Sequence, residues 1–177
     1  MLKTLRARRF AVRALTLMCG FASLSPATAQ VHLSGYRVPL TLALEAVGEA
    51  VRACEASGYD VSAALVDASG ETLAFAKGDH STVHTKDTSF RKAYTVATLG
   101  PIFKFETLGA FVEKMRGNPN ANAFASLPNI LLLAGGVAVM ANGESVAAIG
   151  VGGAPGGEKD EACAAAGLAK IKDRLPH

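Results

Sequence analysis

The densest run of chemically capable side chains in this 177-residue sequence is Asp79-His80-Ser81-Thr82-Val83-His84-Thr85, holding two of the four histidines at i, i+4 spacing. Neutral imidazole is a good ligand for haem iron or a divalent metal, and it titrates near neutral pH. The same residue types also make an ordinary helix cap, with Thr85 bonding backbone N–H groups and both rings in water. A third ligand at defined spacing is missing, which argues against a zinc enzyme. His32 and His177 lie near the ends, where disorder is the default.

A second candidate stretch is Arg91-Lys92-Ala93-Tyr94-Thr95-Val96-Ala97-Thr98. Lys92, Thr95 and Thr98 recur every three residues and so share one helical ridge beyond His84. That ridge either lines the same pocket or forms a solvated face. The third is Gly150-Val151-Gly152-Gly153-Ala154-Pro155-Gly156-Gly157, whose backbone N–H groups could cradle a phosphate. Glu158, Asp160 and Glu161 follow at once, however, and their charge repels an anion from the helix start. The Walker lysine and the dinucleotide-fold spacing are both missing, so a structural turn is the better reading. No Gly-x-Ser-x-Gly elbow or His-Glu-x-x-His occurs, and a nucleophilic hydrolase has no support. Without Cys-x-x-Cys, a zinc ribbon, a thioredoxin-type pair and covalent haem attachment are excluded.

The elements that must carry these residues are legible from periodicity. Thr41 can cap a helix to about Ser57, with Leu44, Val47, Val51 and Cys54 at helical spacing. Val61–Val66 and Glu71–Lys77 read as a hairpin around Asp67-Ala68-Ser69-Gly70. A helix starts at His84 and ends at Gly100-Pro101, and another covers Thr107–Met115. Asn129–Leu133, Val137–Met140 and Ser145–Val151 are predicted strands, the last two joined by Asn142-Gly143, a strong hairpin signal. Glu158–Leu175 is the final helix. Tight turns force antiparallel pairing, so the expectation is an α+β fold: a five-stranded antiparallel sheet flanked by helices, in the order α-β-β-α-α-β-β-β-α.

Charge is unevenly placed. The first 29 residues hold five of the 18 Lys+Arg and none of the 15 Asp+Glu, leaving residues 30–177 at 13 against 15, a net of −2. A body of that charge does not attract polyphosphate, so neither nucleic acid nor an anionic membrane is an expected partner. The leader itself has a cationic start, an apolar run over Ala14–Leu24 and small residues at Ala27-Thr28-Ala29. This is the anatomy of a secretory signal, with a run too short to span a bilayer. The expectation is a signal peptide over 1–29 and a single exported domain over 30–177, periplasmic or extracellular, with its core at 40–175. Arg8-Arg9-Phe10 leaves open the choice between the general and twin-arginine routes. An exported chain permits a Cys54–Cys163 disulfide, but each cysteine also suits a small buried thiol in an Ala-rich helix. Both readings stand at this point.

Taken together, five segments resemble the GlcG/HbpS family: Ala64-Leu65-Val66-Asp67-Ala68-Ser69-Gly70; Lys77-Gly78-Asp79; His84-Thr85 with Arg91-Lys92-Ala93-Tyr94-Thr95; Gly135-Gly136; and Ala148–Asp160. The similarity runs in order through about residues 40–175. It implies an antiparallel sheet flanked by helices, a fold shared with the C-terminal domain of PduO-type proteins, and frequent homo-oligomers. It also implies binding of haem or a related tetrapyrrole. By position, His84 matches the family's His-Thr motif and is the candidate axial ligand to iron, while Lys92 and Thr95 match the segment assigned to pocket lining. Lys77 stands where an arginine is usual, keeping the charge without the planar two-bond geometry. His80 stands where a small residue is usual, and either adds a second ligand or fills space. Phe75, Phe90 and Leu99 are candidate walls for an apolar ring.

The expected function is therefore an exported haem-binding protein for sequestration or sensing. A rival reading is an enzyme or accessory subunit acting on a small carboxylate or quinone-like molecule, resting on Lys77, Lys92 and His84 as anion clamp and proton carrier. Slow oxidative opening of bound haem is intermediate between the two, and a purely structural oligomer is a third.

Overall fold

Two tight hairpins build the sheet. The computed structural model describes residues 35–177, so the leader reading lies outside the described residues. In the first hairpin, β1 (Ser62–Asp67) turns into β2 (Thr72–Lys77). One carboxylate oxygen of Asp67 accepts from the backbone N–H groups of Ser69 and Glu71 and from the Ser69 hydroxyl. Burial works to raise the Asp67 pKa, but these donors outweigh it and hold the carboxyl below its ordinary range. The second hairpin joins β3 (Gly136–Ala141) to β4 (Glu144–Gly152). Its turn residues Asn142 and Gly143 both have positive φ, 52° and 76°, as a two-residue I′ turn requires.

The hairpins associate through β1 and β4, giving a four-stranded antiparallel sheet in the order β2-β1-β4-β3. Helices cover both faces. On one side lie α1 (Leu40–Glu55) and α5 (Gly157–Ile171), packed over Ala63, Leu65, Val139 and Ile149. On the other lie α2 (His84–Phe103) and α3 (Leu108–Met115), packed with Val66, Ala138 and Ala148. The central strands are thus buried on both faces, where each large side chain such as Leu65 or Ile149 contributes about 1.5–3 kcal/mol. Cys54 of α1 and Cys163 of α5 form a disulfide with Cα atoms 5.5 Å apart, which closes the alternative left open by the sequence. Among the described residues no helix is long and apolar enough to cross a membrane.

Glycines set how closely α2 lies on the sheet. A Cβ on Gly150 would fall 2.2 Å from the Ser89 carbonyl oxygen, and one on Gly136 would fall 3.0 Å from that of Lys92. Gly150 and Gly152 therefore belong to β4 as contact points for a helix backbone, and the turn proper begins at Gly153, where φ is 136°.

The α+β class and antiparallel pairing agree with the sequence, but the predicted fifth strand at Asn129–Leu133 does not form. Asn129 is left-handed, with φ 62°. Two backbone groups after it bond to α2, since Arg91 donates to the Ile130 carbonyl at 2.7 Å and the Leu131 N–H donates to Thr95 Oγ1 at 2.9 Å. The Ile130 and Leu133 N–H groups close local turns on Leu127 and Leu131. Ladder pairing is thereby replaced by side-chain bonds and local turns. A short helix α4 (Ala121–Ala125) follows the breaker-rich Gly117–Asn120, so the order is α-β-β-α-α-α-β-β-α, with a 3-10 turn (Lys172–Arg174) after α5. Gly100-Pro101 also fails to end α2, which continues to Phe103 and stops at left-handed Lys104. A glycine before proline has no Cβ to clash with the ring, so the helical conformation survives there.

Candidate functional site

The N-terminus of α2 is held by a chain of buried hydroxyls. Ser62 Oγ of β1 lies 2.7 Å from Thr85 Oγ1 and 3.2 Å from Ser81 Oγ. Thr85 Oγ1 donates to the Thr82 carbonyl at 2.6 Å, and Ser81 Oγ donates to that of Gly78 at 2.9 Å. All three of these side chains are buried. Thr85 thus ties the loop to the sheet, where the sequence suggested a cap for backbone N–H groups. With Thr85 turned inward, its neighbour His84 faces outward and is exposed.

The His84 ring is steadied on one side only. Its Nδ1 lies 2.9 Å from Thr82 Oγ1, and Nε2 makes no hydrogen bond among the described residues. When Nδ1 carries the proton and donates it to Thr82, Nε2 presents a lone pair to solvent, the state an iron ligand needs. Val83 beside it is 87% exposed.

The other sequence candidates fall into two groups. Lys77 pairs in register with Ser62, so it shares the end of the sheet where Ser62 holds Thr85. It is exposed, and its Nζ donates to the Gly78 carbonyl at 3.1 Å. His80 is exposed on the intervening loop. Lys92 and Thr95 lie about two and three turns further along α2, roughly 12 Å or more of rise beyond His84. Lys92 is 1% exposed, and its Nζ meets Asp160 Oδ2 of α5 at 2.6 Å. Asp160 Oδ1 accepts from the Ala154 N–H at 2.9 Å. Burial pushes the Asp160 carboxyl above its ordinary range, against the opposing pull of the Lys92 ammonium. Thr95 donates to the Arg91 carbonyl at 2.7 Å and receives the Leu131 N–H. Of the candidate walls, Leu99 belongs to the core on the α2 face, Phe90 is half-buried 5.7 Å from the Tyr94 ring, and Phe75 is 36% exposed.

The sequence marks Asp160 as a helix-start charge and the end of a family segment, and it does not single out Ser62 or Thr82. A signal for Asp160 was available. Lys92 lies on the same helical arc as Ser89, Ala93 and Val96, and a cation facing a core needs an anion.

The donor set fits an iron already held in a macrocycle, since one imidazole supplies an axial ligand. A bare ion is less well served, because among the described residues no three His, Cys, Asp or Glu side chains converge. A cavity of about 260 Å³ lies between α1 and α5, lined by Ala53, Ser57, Tyr59, Lys159, Ala162 and Cys163. It is smaller than the roughly 300–1,000 Å³ of drug-sized ligand sites and does not include His84.

A four-stranded antiparallel sheet between helix layers, with an outward imidazole at the start of the central helix, defines an α+β binding domain. The model of the family described as "Haem degrading protein HbpS-like" matches residues 38–169, and the chain belongs to this family. A crystal structure of HbpS is similar at 33% identity and TM-score 0.69, covering 82% of this chain and 97% of that one. A double mutant of Streptomyces reticuli HbpS matches at 35% identity and TM-score 0.67, covering 81% and 97%. A PduOC–haem complex shares the fold at 17% identity and TM-score 0.67, covering 77% of this chain and 96% of that one. A search of curated proteins returns no match.

Proposed function

We propose that this chain is an exported haem-binding protein that sequesters the cofactor or senses it for a partner, with His84 Nε2 as the axial ligand. The observation that carries this reading is the exposed His84 ring, fixed at Nδ1 by Thr82, in a family whose model is described as haem-degrading. The PduOC–haem structure adds that this fold can accept haem. Lys77 and His80 are the polar groups at the same end, Lys77 for a propionate and His80 for a second contact. A second copy of the chain would cover Val83, which is 87% exposed beside His84. Export rests on the three-part leader and on the Cys54–Cys163 bridge, since such bridges persist in oxidising compartments.

Hemin added to the purified mature protein should shift and sharpen the Soret band, and His84→Ala should weaken binding at least tenfold. An unchanged spectrum and affinity in that variant would remove His84 from the role. The family description favours a second reading, slow oxidative opening of the ring. Incubation of the loaded protein with ascorbate separates the two, since no Soret loss beyond the free-hemin control argues against degradation.

A further inference from the structure

We infer that the cavity between α1 and α5 is an entry port for a small carboxylate-bearing thiol, and that Cys163 is the sulfur it modifies. The two halves of the disulfide are unequally placed. Both belong to the core of the α1/α5 layer, but Cys54 is fully enclosed whereas Cys163 is 6% exposed and lines the cavity, so an approach from the cavity meets Cys163 first.

The port carries a charge suited to that chemistry. Lys159 lies one helical turn before Cys163 on α5 and lines the same cavity, with its Nζ 5.1 Å from the centre of the Tyr59 ring. Its ammonium attracts both the carboxylate and the thiolate of an arriving molecule. The aromatic floor and Ala53 and Ala162 accept a short aliphatic stem.

In the step itself, the incoming thiolate attacks Cys163 Sγ and forms a new S–S bond there. The Cys54–Cys163 bond breaks, its electron pair passes to Cys54 Sγ, and that sulfur takes the proton the thiol has lost. One thiol is consumed, one mixed disulfide and one free thiol are formed, and no outside oxidant is needed. Acid quenching protonates free thiols and so holds whatever adduct is present at the moment of sampling.

Glutathione is the probe. The mature protein is incubated with it under native conditions, quenched in acid, and mapped by intact and peptide mass spectrometry, with circular dichroism as the check on folding. The expected product carries one glutathione, on Cys163 alone, with the native spectrum kept. Lys159→Met should lower the rate about two- to fivefold, the size of one partly exposed charge interaction. Adducts divided evenly between Cys54 and Cys163, or appearing only when the native spectrum is lost, would overturn the proposal. So would an unchanged rate in Lys159→Met.

Discussion

Helix α2 carries polar chemistry at two levels, and the two obey opposite rules. At its N-terminus, His84 is exposed with one ring nitrogen bonded and the other unbonded among the described residues. Two turns on, Lys92 is enclosed and wholly committed to Asp160. An exposed side chain is free to act on a visitor because water solvates it beforehand. A buried cation has already lost its water and depends on one fixed partner. Residue type is the same kind of clue at both levels, while placement decides the role.

The sharpest way to test this contrast is to remove the buried partner. Lys92→Met should lower unfolding stability by about 3–5 kcal/mol in urea melts, because Asp160 keeps its burial and loses its ammonium. The double variant Lys92→Met, Asp160→Asn should recover most of the loss, since it leaves no charge behind and the amide oxygen still accepts from the Ala154 N–H. A double variant as unstable as the single would mean that the pair holds α2 and α5 by geometry that packing cannot replace. At an intermediate level, Thr85→Val should cost about 1–3 kcal/mol by leaving Ser62 without its close partner. It should also broaden the His84 ring signals in NMR spectra, because the loop that presents the imidazole loses its tie to β1. Unbroadened signals would show that Ser81 alone holds the loop. The smallest effect belongs to His84→Ala, expected to change stability by no more than about 0.5 kcal/mol. A larger loss would place the ring among structural groups.

Most of the fold was legible because its turns announce themselves. Asn142-Gly143 and Asp67–Gly70 appear where the sequence puts them, and α2 begins at His84 as its periodicity indicates. The failures share a cause in tertiary bonding. Ile130-Leu131-Leu132-Leu133 has the composition of a strand, but no neighbouring strand offers it hydrogen bonds, and Arg91 and Thr95 do. The helix across Gly100-Pro101 was hidden because the usual rule assumes a side chain before the proline. For the candidate site, the His80/His84 cluster was visible from composition, but the hydroxyl chain orienting it was not. Ser62, Ser81 and Thr85 are small polar residues with common roles in turns and caps, and only the pairing of β1 with the loop brings them together.

The bare backbone of β4 at Gly150 and Gly152 has a mechanical consequence. With no side chain as a cushion, α2 rests on the sheet like a beam on a sill, and its near end is pinned through Ser62. Even a methyl group at Gly150 would act as a wedge under mid-span, tipping the whole rod and swinging the imidazole at its tip. The aim of that ring is therefore set some distance away, by what is missing from a strand it never touches.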